Sequence, residues 1–258
     1  MIYLQTALVL LIYFTLVFFI GQILNNNSIV DIAWGLGFVV VAIFTFFSGG
    51  YYTLRASITL ILVSLWGIRL AYHVAARNLG KPEDYRYVDM RKRWGKKFVR
   101  IKAFFNVYFL QMVFMYIISL TIITINKSNN ESFNILDFVG ILVWIVGYIF
   151  EVLGDYQLKM FIKNPSNKGK LMKYGLWKYT RHPNYFGEAT MWWGIFLMAL
   201  SVNGGVYTIV SPILITYLIV FISGVTMLEK KYKKREDFRK YMKETNAFFP
   251  WFPKKRSE

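Results

Sequence analysis

The stretch Gly175-Leu-Trp-Lys-Tyr-Thr-Arg-His-Pro-Asn-Tyr-Phe-Gly-Glu-Ala-Thr-Met-Trp-Trp-Gly194 opens basic and aromatic and closes apolar. It reads as a passage from a water-facing loop into a membrane span. Pro183 suits the first turn of a helix, where its missing N–H is no loss and its fixed φ is already helical. A helix that starts there sets Asn184, Glu188 and Trp192 at i, i+4 and i+8, stacked on one face and running inward from the boundary. An ionisable Glu188 inside a span faces protein, water or ligand rather than lipid. The unpaired N–H groups of the helix start favour an anion, and Arg181, beside His182, offers a phosphate a bidentate partner. Two readings stay open. One is a cofactor site at the membrane face; the other is an ordinary juxtamembrane segment, with Arg and Lys at headgroups and Trp and Tyr in the interfacial belt.

The rest of the chain shares this character. Of 258 residues, 56% are apolar and 19% aromatic, which exceeds a typical soluble domain. Seven apolar stretches, at about 2–24, 31–48, 56–76, 103–125, 135–154, 186–201 and 206–228, predict an all-α polytopic membrane protein with about seven transmembrane helices. The sixth is short and pairs with the seventh through Ser201-Val-Asn-Gly-Gly205. The first has neither a basic leader nor a small-residue cleavage site, and it reads as a retained helix. No repeat or linker marks a second domain, so residues 1–258 read as a single membrane domain.

The net charge is +17, and 28 of the 31 Lys and Arg fall in 77–102, 155–185 and 229–258. Alternation of seven spans puts these segments on one side, and the positive-inside rule makes that side the cytosol, with the N-terminus outside and the C-terminus inside. Such a charge serves an anionic lipid surface or funnels an anionic soluble ligand. Its confinement to three segments speaks against nucleic acid. The chain has no Cys and two His, which excludes disulfides and thiol catalysis and leaves no metal site built on thiolates or several imidazoles.

Further polar groups lie on the spans. Asp31 opens Asp31-Ile-Ala-Trp-Gly-Leu-Gly-Phe38 and reads either as a water-exposed N-cap or as an acid at the membrane boundary. Gly35-x-Gly37 lacks the third glycine and the strand of a dinucleotide fingerprint. Trp66, Arg69, His73 and Arg77 share one face of the third span, and Trp144, Tyr148, Glu151, Asp155 and Lys159 one face of the fifth. Gly80-Lys-Pro-Glu-Asp-Tyr-Arg-Tyr87 is a turn with paired acids. Asn126-Lys-Ser and Asn130-Glu-Ser are glycosylation sequons. Glu229 sits at a boundary, ahead of an amphipathic basic tail, and Phe248-Phe-Pro-Trp-Phe-Pro253 reads as an aromatic interfacial anchor.

Asp31-Ile-Ala-Trp-Gly, Gly80-Lys-Pro-Glu-Asp-Tyr-Arg-Tyr87, Glu151-x-x-Gly-Asp-Tyr-Gln-Leu158, Asn167-Lys-Gly-Lys170, Gly175-Leu-Trp-x-Tyr-Thr-Arg-His-Pro-Asn-Tyr-Phe-Gly-Glu188 and the closing Phe-x-Pro-Trp-Phe-Pro resemble the largely microbial, uncharacterised branch of the steroid 5-alpha-reductase superfamily. The resemblance covers most of the chain and is most specific over 151–194. It implies a seven-helix enzyme of the bacterial inner membrane, or of the endoplasmic reticulum in a eukaryote. That enzyme binds NADPH from the cytosolic side and reduces a carbon–carbon double bond conjugated to a ketone in a lipophilic substrate. Residues 1–125 would then form the substrate side and 135–258 the cofactor side. The implied cofactor-binding set is Arg77, Glu151, Asp155, Lys159, Lys168, Tyr179, Arg181, His182, Asn184, Tyr185, Glu188, Trp192 and Glu229. Glu151 stands where the family has Asn, while Asp155, Asn184, Glu188 and Trp192 match in type, and Arg181 with the basic loop and tail would meet the phosphates.

At the substrate end the steroid reductases use a Glu in an early helix and a Tyr directly after a His. Here Asp31 stands for the Glu, but Val74 follows His73, so the expected catalytic set is Asp31, His73 and Tyr72, with Tyr85 as a further donor. The Arg-His-Pro-x-Tyr turn with a later Glu also resembles integral-membrane methyltransferases that bind S-adenosylmethionine. A lipid-binding protein without a cofactor, whose polar strips only hold the bundle together, is the third reading. Reporters fused at the C-terminus and in the loop near Lys92 are expected to read as cytosolic, and an external C-terminus would contradict the seven-span topology.

Overall fold

The computed structural model of the chain describes residues 1–254, with the backbone alone at Lys231. Of the basic tail, Lys255 and Arg256 lie outside the described residues. Helix is the only regular secondary structure among the described residues. The principal helices are α1 (Ile2–Ile23), α2 (Ile29–Gly49), α3 (Leu54–Asn78), α4 (Tyr85–Trp94), α5 (Val99–Ile118), α6 (Leu120–Lys127), α7 (Ile135–Lys163), α8 (Pro183–Ala199), α9 (Gly205–Lys230) and α10 (Glu236–Glu244). Six of them, α1, α2, α3, α5, α7 and α9, are long and apolar enough to cross a membrane. The short sixth stretch of the sequence is α8, with 17 residues, slightly under the roughly 20 that a bilayer core asks for. It stops there because the Ser201–Gly205 turn follows at once, with Val202 N donating to Ala199 O at 3.1 Å and Gly205 N to Val202 O at 3.0 Å.

The chain divides into two compact units, Met1–Asn134 with Ala199–Ser211, and Ile135–Met198 with Pro212 onward. The sequence offered no sign that 199–211 goes with the first unit.

In the first unit α1 carries an inward stripe of Thr6, Leu10, Phe14, Val17 and Gly21, at helical spacing, while Leu4, Leu8, Ile12 and Leu16 are exposed. That is the two-faced pattern of a helix with protein on one side and lipid on the other. Lipid gives helices no hydrophobic reason to associate, so close packing and interhelical hydrogen bonds must do so. Both occur. A Cβ built on Gly35 of α2 would lie 2.4 Å from the Gly67 carbonyl oxygen of α3, so the two backbones touch where neither residue has a side chain. Tyr13 OH donates to Ala33 O at 2.7 Å and ties α1 to α2. Such bonds in membranes are worth about 0.6 kcal/mol each. Near the far end, buried Arg55 donates to the Asn130 and Ser132 carbonyl oxygens and holds the 128–134 loop. The side-chain nitrogens of both sequon asparagines are engaged, Asn126 Nδ2 with Thr45 Oγ1 at 2.8 Å and Asn130 Nδ2 with Ser201 O at 2.8 Å.

The second unit is built on a glycine seam. Gly140, Gly147 and Gly154 recur at seven-residue spacing along one edge of α7. Cβ atoms placed on Gly140 and Gly147 would lie 2.6 Å from the carbonyl oxygens of Gly194 and Gly187 of α8, and one on Gly154 would lie 3.1 Å from Asn184 N and from the Pro183 ring. The three contacts run antiparallel in a single register. Gly147→Ala or Gly187→Ala is therefore expected to cost about 1–3 kcal/mol by overpacking, while Val146→Ala on the outer side of α7 changes stability little; unfolding in detergent measures both.

Candidate functional site

At the start of α8 the chain is folded against its own tail. Thr180 Oγ1 donates to Phe248 O at 2.8 Å and Arg181 N to Asn246 O at 2.9 Å. The Arg181 side chain is 6% exposed. Its Nε and Nη2 meet Glu229 Oε1 at 2.8 and 2.7 Å, and its Nη1 donates to the Thr245 and Met242 carbonyl oxygens. His182 Nε2 lies 3.2 Å from the same Glu229 oxygen, and its ring stacks on Tyr185 with centroids 5.5 Å apart. A buried guanidinium needs acceptors for its fork of donors, and here the carboxylate and carbonyls supply them. Arg181 is thus a strut joining α8, α9 and the tail, and its guanidinium does not stand open to a phosphate.

The adjoining face of α7 carries the other expected groups. Trp144 and Tyr148 stack at 4.9 Å, Glu151 is buried, and Asp155 Oδ1 accepts from Asn184 Nδ2 at 3.0 Å. Asn184 Oδ1 is buried and takes no hydrogen bond. Trp192 is buried, and Glu188 and Tyr185 are half-buried on α8. Trp177 Nε1 donates to Gly154 O at 3.1 Å, and Gln157 Oε1 accepts from Leu176 N at 2.9 Å, which holds the 174–180 loop to α7. Lys159 and Lys168 are exposed, as are Lys163, Lys170 and Lys173, and Tyr179 lies at the edge. Apart from Arg77, the expected cofactor-binding set therefore lies in this unit, buried or half-buried along α7 and α8 and exposed at its lysines. Arg77 is exposed at the end of α3 in the first unit, with its Nε donating to Asn78 Oδ1 at 3.1 Å.

In the first unit Asp31 is not a helix cap. Ser28 holds the cap position of α2, and Asp31 anchors a cluster instead. Tyr87 OH donates to its Oδ1 and Arg86 Nη2 to its Oδ2, both at 2.6 Å. Arg86 Nε also reaches Asp84 Oδ1 at 2.9 Å, the oxygen that caps α4 through Arg86 N at 2.9 Å. Beside it, Glu83 Oε1 accepts from Asn27 N at 2.7 Å and Arg91 Nη2 at 2.8 Å, Asp84 N donates to Ser28 Oγ at 2.8 Å, and Tyr108 OH donates to Asn27 Oδ1 at 3.0 Å. Burial opposes charge on both Asp84 and Arg86, yet their pairing wins: Arg86 holds the Asp84 carboxyl below its ordinary range, and Asp31 with Asp84 keeps Arg86 protonated. Burial, reinforced by the Asp31 charge, pushes the Tyr87 phenol up, so it stays a proton donor. Of the other expected catalytic residues, His73 is half-buried on α3, whereas Tyr72 is 74% exposed on the outside of its helix and Tyr85 is exposed at the start of α4. Arg86, Tyr87 and Arg91 were not among the expected site residues, although the Gly80–Tyr87 motif, with its paired acids, contains the first two.

Over residues 17–245 the chain matches the family model described as protein of unknown function DUF1295. The chain belongs to this family. It is the steroid 5-alpha-reductase-like family whose motifs the sequence carries. An uncharacterised protein of Schizosaccharomyces pombe is 26% identical over 88% of this chain and 73% of its own length. The 3-oxo-5-alpha-steroid 4-dehydrogenase 1 of Bos taurus is 26% identical over 40% of this chain, a match that takes in 38% of that enzyme. A probable O-methyltransferase of Ustilaginoidea virens is 38% identical over 26% of this chain and 23% of its own length. No solved structure matches. Membership, the apolar helices and the steroid dehydrogenase match support an integral membrane oxidoreductase as a distant relationship.

The family's Asp31 motif and its Gly80–Tyr87 motif, 49 positions apart in sequence, meet in one ion cluster, and that cluster predicts a pH dependence. The folded Asp84 titrates below its ordinary value of 3.8, so its contribution is complete above 3.8 and disappears as pH falls through the folded value. Thermal unfolding in detergent between about pH 7 and pH 3 is expected to show a stability component lost at the acid end. Asp84→Asn should lack that component and be less stable at neutral pH.

Proposed function

We propose that this family member is an NADPH-dependent reductase of a carbon–carbon double bond conjugated to a ketone in a lipid-soluble substrate. The observation that carries the reading is Asn184 of the second unit, whose Oδ1 is buried and takes no hydrogen bond. An orphaned buried acceptor is costly unless a ligand donor satisfies it, and the nicotinamide carboxamide is such a donor. The exposed lysines of the same unit, Lys159 and Lys168 first, suit the phosphates, since Arg181 is engaged elsewhere. These residues fit the cofactor. When bound, NADPH supplies the hydride.

The protein's own part is to orient and to protonate. Asp155 fixes the Asn184 amide, the Arg181–Glu229–His182 strut fixes the start of α8, and Glu188 and Trp192 continue that face inward. In the first unit, Asp31 with Tyr87 is the proton-donor pair that this reading uses in place of Tyr72, which is exposed on the outside of its helix. Tyr87 gives its one proton to Asp31, so polarising a carbonyl requires the phenol to turn that hydrogen bond from Asp31 to the substrate, while Arg86 keeps Asp31 paired. General-acid help of this kind is typically worth about 10² to 10⁴ in rate.

A second reading, methyl transfer from S-adenosylmethionine, draws support from the short match to the probable O-methyltransferase. A thermal-shift panel on purified protein separates the readings, because a ligand raises stability by RT ln(1 + [L]/Kd), about 2.7 kcal/mol at one hundred times Kd. NADPH is expected to stabilise more than NADH or S-adenosylmethionine. A shift with S-adenosylmethionine alone would sink the reductase, and no shift with any of them would favour a lipid-binding protein. Asn184→Ala and Glu188→Gln should weaken NADPH binding. Tyr87→Phe and Asp31→Asn should spare it and lower turnover of an enone about 10²-fold or more.

A further inference from the structure

The tail folds back on the second unit and leaves its aromatic end bare. Trp251 N donates to Tyr179 O at 2.9 Å and Lys254 N to Glu244 O at 2.9 Å, so both ends of the segment 251–254 are tied down. Phe248 and Phe249 sit 5.9 and 6.3 Å from the Phe186 ring of α8, and Phe252 sits 6.0 Å from Tyr179. Pro250 and Pro253 stiffen the backbone between these ties. Yet Phe249, Trp251 and Phe252 are 70%, 68% and 74% exposed. Trp251 and Phe252 adjoin, with ring centroids 6.4 Å apart, and with Phe249 they bare three large rings on one stretch of tail, as an apolar interaction surface does.

The position and the rim say what meets it. Phe186 lies in the first turn of apolar α8, and the helical run that continues the α9 span ends at Tyr232, shortly before α10 begins. Through Phe186 the aromatic end of the tail lies at the start of an apolar helix of its own unit. Lys178, beside the Tyr179 ring that meets Phe252, and Lys254, at the end of the segment, are exposed. Rings rather than aliphatic side chains, rimmed by lysines, match the headgroup layer, where aromatic residues settle and anionic lipids attract basic ones. We propose that Phe249, Trp251 and Phe252 form a wedge that seats in the interfacial layer of an anionic lipid surface, with lipid phosphates on Lys178 and Lys254. Seating the wedge also steadies the site, because the same tail supplies the carbonyl acceptors of Arg181. The inference rests on the membrane setting and is independent of which cofactor the unit binds.

The chain contains no cysteine, so Phe252→Cys carries a single polarity-sensitive fluorophore. The full-length variant is reconstituted into vesicles of phosphatidylcholine alone and of phosphatidylcholine with phosphatidylglycerol. The expected result is a blue-shifted label that loses most of its quenching by neutral acrylamide in the anionic vesicles, with the loss reversed in part at high salt, where headgroup attraction is screened. Phe249→Cys gives an independent reading, and since both side chains are exposed neither change removes core packing. A label quenched equally in both vesicle types overturns the proposal. Protection that rises with protein density instead of phosphatidylglycerol content also overturns it, in favour of a second copy of the chain.

Discussion

The second unit depends on backbone touching backbone. Where Gly147 faces Gly187 and Gly140 faces Gly194, a single methyl group on either side has no room. In lipid such close approach is what holds helices together, because apolar surface is equally content against acyl chains. Seven-residue spacing keeps the same edge of α7 in contact for two full repeats and so fixes one register. That register sets Gly154 against Pro183 and Asn184, and it brings the Asn184 amide to Asp155. A slip of one helical turn would separate them. Packing far from any ionisable group thus decides which polar groups meet.

Polar chemistry follows a common rule in both units. Charge inside or beside a membrane is tolerated when it is paired and its remaining hydrogen bonds are met. Arg181, Glu229 and His182 satisfy this with the help of tail carbonyls, and Asp31, Arg86 and Asp84 with the help of Tyr87 and Ser28. Each cluster ties segments distant in sequence, so each restrains a loop that lipid cannot order. On the second unit Asn184 Oδ1 is left without a hydrogen bond, and Lys159 and Lys168 are exposed. Arg181 is buried and held by Glu229 and tail carbonyls, whereas Lys168 is exposed, so burial and partner separate the two.

Much of the architecture was legible in the sequence because helical periodicity and hydropathy are local properties. The helical class, the start of α8 at Pro183, the shared face of Asn184, Glu188 and Trp192, and the two-sided character of the spans follow from composition and a 3.6-residue repeat. The boundary motifs also carried the family. The glycines at 140, 147 and 154 stood in plain view at a constant interval, but a spacing names no partner, and only α8 packed against them reveals what they are for.

Tertiary structure decided the rest. Whether Asp31 caps a helix or binds an arginine depends on where residues 80–87 fold, and no local rule says that they return to the start of α2. Whether Arg181 meets a phosphate or a carboxylate depends on Glu229, 48 positions away. Side-chain chemistry is written in the sequence, but the identity of its partner is set by long-range packing. The sequence by itself determined a helical membrane protein and its family; the fold determined which of its charges are paired and buried and which stay exposed.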